Sequence, residues 1–440
     1  MKKTLTVCKL CLRLLLRNGS IKGLAALIIA ISLFAFFSTK HNGVLIDELK
    51  VRVLYSFSIT YTFLSIAVIA LTCFTIRRQI DSRNIHQLCS LPLSRLNIWL
   101  GQALALFLIA FSLLSILYLS IIGASYFYQK DFSIEEKNTL YEQAQTPIKE
   151  VKPEFLSDYD LIIKAVKERG GKLQAGMPPE IWNAIHLKVI NEAQNISSQK
   201  FKIYEFNFGM RPNIEFFTFY FRPFFSGKKA NFQIDILPEV NAPANFSLKD
   251  ESSQARKTYL EIPSSAIPPN GQFFIKITNL HNGTVKIQRS NGIHCFYSSS
   301  NYKNNLYKAF LSHNLHLSVF ILLGMTCGTA LTFATATFTS FALFLISLSH
   351  MFFENIAKDM LFIYEPPMST IIASKTIEIL LWLAKGLQAP PVIENLAYHR
   401  LIENETLWGN WLPATIIYGI IVSILGIYLF NKKELSILEV

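Results

Sequence analysis

Arg77-Arg78-Gln79-Ile80-Asp81-Ser82-Arg83-Asn84-Ile85-His86-Gln87-Leu88-Cys89-Ser90-Leu91-Pro92-Leu93-Ser94-Arg95-Leu96-Asn97-Ile98-Trp99-Leu100-Gly101-Gln102 is a basic, helix-compatible segment caught between two long apolar runs. Its reading decides the fold, because apolar runs of spanning length on both sides turn it into a loop at a membrane surface. A loop that only sets orientation needs its arginines and little else. This one also carries Ile80, Ile85, Leu88 and Leu91 at mixed steps of three and five, the pattern of a short amphipathic helix lying along a membrane or against a partner.

Outward from that loop, the composition agrees. Of 440 residues, 51% are hydrophobic, 35 are Phe and only 16% are charged, a balance foreign to a soluble domain of this size. The net charge of +12 does not point to nucleic acid, since much of the basic excess flanks the apolar runs and orients them in a bilayer. The six cysteines are scattered and form no disulfide framework. Cys8-x-x-Cys11 is half of a zinc pattern with no second pair nearby, and two small apolar residues in a Leu-rich helix is the plainer reading.

Residues 2–17 place Lys9, Arg13 and Arg17 four apart among leucines, which predicts an interfacial amphipathic helix with its basic stripe toward phosphates. The first span is read from Leu24 to Phe37, the second from Val53 to Ile76 and the third from Ile98 to Ala124. Six basic residues and no acidic one precede the first span, so the N-terminus and, by parity, the basic loop are expected in the cytosol. Residues 40–52, with Lys40, Asp47, Glu48, Lys50 and Arg52, read as a mixed-charge loop outside.

Parity places 126–312 outside as an α+β domain. Helical patterns over 153–169 and 180–194 give way to period-two segments at 201–206, 214–221, 232–236, 258–262, 274–277 and 285–287, broken by Pro-Asn-Gly and Asn-Gly turns. An antiparallel β-sandwich of jelly-roll type is expected. The aromatic row Phe216, Phe217, Phe219, Tyr220 and Phe221 suits a ligand platform or, more commonly, a core.

Residues 315–353 are apolar for nearly forty positions, enough for two spans joined at the Thr-rich centre 332–339. Lys375, Glu378 and Lys385 interrupt the apolar stretch 368–389, which therefore reads as interfacial or re-entrant rather than spanning. A last span over 412–430 ends in Asn431-Lys432-Lys433-Glu434 and returns the C-terminus to the cytosol. The fold class expected is a polytopic α-helical membrane protein of the cell membrane with six transmembrane helices. Its parts are a cytosolic helix 1–22, spans one to three within 23–125 around the loop 77–97, the outer domain 126–312, a span hairpin 313–353, an outer segment 354–411, span six at 412–430 and a cytosolic tail 431–440.

No phosphate-cradling Gly-x-x-x-x-Gly-Lys-Ser/Thr, no Gly-x-Ser-x-Gly and no His-Glu-x-x-His occurs, so no enzymatic activity is expected of this chain. His313 and His316 at the start of the fourth span, with His350 and Glu354 at the end of the fifth, are a weak candidate zinc set, interfacial histidines without metal being commoner.

The passage Leu91-Pro92-Leu93-Ser94-Arg95, then Ile98-Trp99-Leu100-Gly101-Gln102, resembles the coupling-helix loop of ABC-2-type transporter permeases, although many members have Lys where this chain has Gln102. The span hairpin with a cytosolic tip, the re-entrant stretch and the basic ending after the last span resemble that family too. The resemblance implies a transmembrane subunit that exports an unknown substrate, pairs with a second permease subunit and takes its energy from ATP and Mg on a separate ABC ATPase subunit. Arg77, Arg78, Arg83, Gln87, Pro92 and Arg95 are then the partner-binding residues of the coupling loop, with topology alone as the competing use of the arginines. A non-transporting complex of the same shape, or a membrane-anchored sensor whose outer sandwich binds a ligand, are the rival expectations.

Overall fold

The computed structural model describes residues 2–17, 19–39, 45–81, 93–131, 148–155, 158–168, 179–211, 214–227, 229–240, 242–253, 258–289, 292–298, 302–349, 352, 368–390, 392–398, 400–402 and 404–432. The chain divides into two compact units, one of residues 1–145, 302–355 and 376–440 and the other of 146–301 and 356–375.

The first unit is helical. Helices α1 (Lys2–Arg17), α2 (Gly19–Ser38), α3 (Leu45–Asp81) and α4 (Arg95–Tyr128) come before the second unit in the chain, and α7 (Tyr302–Ala330), α8 (Phe333–Leu348) and α11 (Leu412–Lys432) come after it. Among the described residues, five helices are long and apolar enough to cross a membrane, namely Gly19–Ser38, Glu48–Asp81, Arg95–Tyr128, Lys303–Ala330 and Leu407–Lys432; Phe333–Leu348 is apolar but shorter. In a bilayer, where hydrocarbon offers no hydrophobic drive between helices, close approach at small residues is what holds such a bundle together. A Cβ on Gly101 would lie 2.7 Å from the Cβ of Val7 and 2.9 Å from the Thr4 carbonyl, so α1 rests directly on α4. A Cβ on Gly426 would lie 2.5 Å from Oγ1 of Thr326, whose hydroxyl donates to the Val422 carbonyl at 3.0 Å and ties α7 to α11.

Three boundaries differ from the sequence reading. Helix α3 starts at Leu45, so Glu48, Lys50 and Arg52 are helical rather than loop. Arg52 is 7% exposed because its guanidinium bonds Glu48 one turn back and the Phe36 carbonyl at 2.8 Å. The hairpin turn is confined to Leu331–Thr332, and Thr335, Thr337 and Thr339 lie inside α8. Helix α7 starts at Tyr302, well before the apolar run, because its early polar residues find partners: Asn305 donates to the Arg400 carbonyl at 2.7 Å and accepts from the Ile402 N–H at 2.7 Å. The stretch read as interfacial or re-entrant forms helix α9 (Met368–Ala384), followed by the tight turn Lys385–Leu387, in which Leu387 is 1% exposed and packed against α7, α8 and α11, and then by the short helix α10 (Ile393–Ala397).

The second unit carries two helices, α5 (Asp158–Glu168) and α6 (Pro179–Gln194), and an antiparallel β region. The strands are β1 (Ile148–Val151), β2 (Asn195–Ile196), β3 (Phe201–Asn207), β4 (Phe216–Phe221), β5 (Pro223–Phe224), β6 (Lys229–Leu237), β7 (Phe246–Ser253), β8 (Thr258–Pro263), β9 (Gln272–Asn279), β10 (Val285–Ile287) and β11 (Ile293–Ser298). One four-stranded sheet has the order β1-β11-β4-β8, the other β3-β9-β6-β7, and a three-stranded sheet runs β2-β10-β5. The two larger sheets share one core, with Phe217 5.8 Å from Phe273 and Phe221 5.3 Å from Phe232 across it, ring centroid to centroid. Period two explains the division of the aromatic row: Phe217, Phe219 and Phe221 point into the core, whereas Phe216 is half exposed on the opposite face.

Candidate functional site

The basic loop is anchored at both ends by arginines that reach other helices. Arg77, near the end of α3, pairs with Asp81 at 2.7 Å and donates to the Leu331 carbonyl at 3.3 Å, just past the end of α7. Arg95 opens α4 and donates to the Asn431 carbonyl at 2.7 Å, in the last turn of α11. Each guanidinium thus sits at the C-terminal, negative end of a helix distant in sequence, where a cation contributes about 0.3–1 kcal/mol. Ser94 starts α4, its hydroxyl accepting from the Asn97 N–H at 3.3 Å, while Thr4 of α1 donates to the Asn97 side chain at 3.0 Å. The Gln102 amide donates to the Gln79 side-chain oxygen, which joins the start of α4 back to α3.

These contacts gather the ends of α3, α7 and α11, the starts of α4 and α8, and α1 at one end of the unit. At the other end Arg52, in the first turns of α3, meets the last turn of α2 and stacks over Tyr128, the end of α4, at 4.7 Å. Of the coupling-loop residues read from sequence, Arg77 and Arg95 meet other helices, and Arg78 lies over Phe74 at 5.7 Å. Arg83, Gln87 and Pro92 lie outside the described residues.

A second polar cluster is buried in the middle of the helices. His313 and His316, expected at the surface where α7 opens, are instead 0% and 1% exposed, eleven and fourteen residues beyond its start at Tyr302. Tyr61 of α3 lies 2.7 Å from Nδ1 of His316, and Nε2 of that ring lies 2.7 Å from the Leu387 carbonyl. A carbonyl can only accept, which assigns the proton to Nε2 and makes Nδ1 the acceptor of the tyrosine O–H. Tyr118 of α4 holds Nδ1 of His313 at 2.6 Å. Ser347 of α8 adds a donation to the Leu387 carbonyl at 2.6 Å, and the Trp411 indole donates to the Gln388 carbonyl at 2.9 Å.

The turn after α9 is therefore pinned by three elements at once. Sequence reasoning missed Tyr61 and Tyr118, since a tyrosine in an apolar run looks like any other aromatic. The remaining members of the weak zinc set, His350 and Glu354, lie outside the described residues. Among the described residues no group of three His, Cys, Asp or Glu side chains assembles as a metal site. Cys8 and Cys11 are buried against Ala105 of α4, as small apolar residues are, and burial pushes the Cys11 thiol up to about 11.

In the β unit, Lys202 donates to the Glu192 carbonyl at 3.2 Å and to the Ala193 carbonyl, closing the end of α6; burial first, and Arg289 second, lower its ammonium to about 8. Cys295 lies in the sandwich core, where burial holds its thiol well above the usual range. Comparison of the chain with protein-family models, with characterised proteins and with solved structures finds no match.

Proposed function

We propose that this chain is the membrane-spanning permease subunit of an ABC-2-type transporter, exporting its substrate with energy from ATP and Mg bound on a separate ATPase subunit. The observation that carries the reading is the pair of arginine ties, Arg77 to Leu331 and Arg95 to Asn431. A partner that grips residues 77–97 would move α3, α4, α11 and the α7–α8 turn together, as a coupling loop must. The alternation of helix direction at that end supports six spans, with α8 as the short fifth. The buried turn after α9 supports the re-entrant element that such permeases place before their last span.

On this reading the loop end is cytosolic and two permease subunits, identical or not, frame the path. The β unit is an extracytoplasmic jelly-roll: counting its eight longer strands in chain order, the sheets read 1-8-3-6 and 2-7-4-5, the order of two nested Greek keys. A non-transporting variant, in which ATP hydrolysis inside drives the outer domain against an envelope partner, is favoured by one observation. The domain is inserted between α4 and α7, two of the helices that the loop ties together.

The test is co-purification of the tagged chain with an ATPase encoded beside it. The arginine ties predict a complex that Arg83→Glu with Arg95→Glu disrupts; an undisturbed complex counts against the docking residues, and no complex counts against the permease. Loss of export, against ATP-dependent protease protection of the outer domain with no flux, separates the two variants.

A further inference from the structure

A groove of about 420 Å³ opens between the junction of α1 with α2 and the last turns of α3. Its wall is mixed: Ile21, Leu71 and Phe74 give it an apolar side, Ser20, Thr75 and Gln79 add neutral polar groups, and two arginines line it, Arg17, the last residue of α1, and Arg78 of α3. Among the described residues no acidic side chain lines the groove, and the sequence has no Asp or Glu before Asp47. The acid closest to Arg78 in sequence, Asp81, pairs with Arg77. Two guanidiniums beside a cleft with an apolar side, and no acid among its described walls, are complementary to an anion that carries a hydrocarbon tail. A planar fork of N–H donors fits phosphate oxygens in pairs, and the groove lies at the end of the unit where positive charge accumulates.

We propose that this groove holds one anionic glycerophospholipid of the leaflet facing the Arg77–Arg95 end, with its phosphate between Arg17 and Arg78 and an acyl chain along Leu71 and Phe74. The lipid would bridge α1 to the helix that leads into the basic loop, so the amphipathic N-terminal helix and the loop would share one anchor. A free phosphate would use the arginines and leave the apolar side unfilled; a lipid uses both. The inference rests on the helices spanning a membrane and not on the permease reading.

Native mass spectrometry of the full chain in mild detergent tests it, with palmitoyl-oleoyl phosphatidylglycerol as probe and the phosphatidylcholine of the same chains as control. Wild type is expected to retain one phosphatidylglycerol at concentrations where phosphatidylcholine is lost. Arg17→Gln with Arg78→Gln should weaken retention about thirtyfold, from the usual contribution of two basic residues at an anionic surface. Arg17→Lys with Arg78→Lys should restore most of it, and Lys9→Gln with Arg13→Gln, also on α1 but outside the groove lining, should leave it unchanged. Equal retention by the Gln pair, an equal loss in the Lys9/Arg13 pair, or competitive displacement by inorganic phosphate would each overturn the proposal. Single Gln variants read the same affinity if the pair fails to fold. No ATPase enters the assay, so its failure leaves the permease reading standing.

Discussion

Arg95 donates from Nη1 to the main-chain carbonyl of Asn431 at 2.7 Å, joining the first residue of α4 to the last turn of α11 across 336 positions of sequence. A residue that appears in the sequence as one more loop cation is a joint between two spanning-length helices. Reversing its charge places a carboxylate against the negative end of a helix. Arg95→Glu should therefore cost about 1 kcal/mol in stability, seen as a lower melting temperature in detergent, whereas Arg95→Lys should stay near wild type. Equal melting of the Glu variant and wild type would show the tie to be unimportant.

Gly101→Leu tests the seating of α1. Any Cβ there meets Val7 and the Thr4 carbonyl closer than side chains approach, so α1 must lift off α4. Overpacking of this kind costs about 1–3 kcal/mol. Limited trypsin digestion at Lys9 and Arg13 should accelerate in the variant, and unchanged digestion would contradict the packing.

The Tyr61, His316 and Leu387 chain should behave as one unit. Tyr61→Phe leaves Nδ1 of His316 without its donor, and His316→Leu leaves the Tyr61 hydroxyl with only the more distant His313 carbonyl, at 3.4 Å, and takes one of two donors from the Leu387 carbonyl. Each change should cost about 1–3 kcal/mol, the usual penalty for an orphaned buried polar group. The double variant should cost less than the sum, because the second change removes a group already orphaned. Strict additivity in a double-mutant cycle on thermal unfolding would show the two side chains to be independent.

Lys202 gives the β unit a pH signature. Its folded value of about 8 lies below the ordinary 10.5, so between these values the unfolded chain binds a proton that the folded chain does not. Stability must then rise with pH across that window, until the buried tyrosines Tyr204 and Tyr220, whose hydroxyls burial pushes up, reverse the trend above pH 10. Residues 146–301 expressed alone should fold, since the two sheets close their own core, and should melt higher at pH 9.5 than at pH 8 by an increment that Lys202→Met removes. A Lys202→Met domain with the wild-type pH slope would exclude the lysine as its source.

Much of this architecture is legible in the sequence, and the parts that are not share a physical cause. Apolar runs without charge locate the spanning-length helices, because nothing else in a chain looks like them, but not their polar ends: α3 starts at Leu45 rather than Val53 and α7 at Tyr302 rather than Leu315. The start of α7 escapes notice since Asn305 and His313 are buried polar residues whose partners lie on other segments, and pattern alone cannot supply partners. Strand β7, Phe246–Ser253, is missed for a different reason. It lies at a sheet edge and carries Lys249, Asp250 and Glu251, charges that discourage pairing with another chain and also mask the strand pattern. In the candidate site, Arg77, Arg78 and Arg95 are visible from charge, while the carbonyls that receive Arg77 and Arg95 are invisible to any reading of side chains.

The central claim is that a separate ATPase grips the loop between Arg77 and Arg95 from the cytosolic side. Photocrosslinking from Gln87→benzoylphenylalanine in intact cells tests it most directly, with the captured polypeptide identified by mass spectrometry. The expected product is a covalent adduct with a subunit bearing a nucleotide-binding Gly-x-x-x-x-Gly-Lys-Ser/Thr sequence, formed in Arg95 protein and lost in Arg95→Glu. Crosslinks only to lipid, or labelling of the natural Cys89 by a membrane-impermeant maleimide added outside the cells, would contradict it.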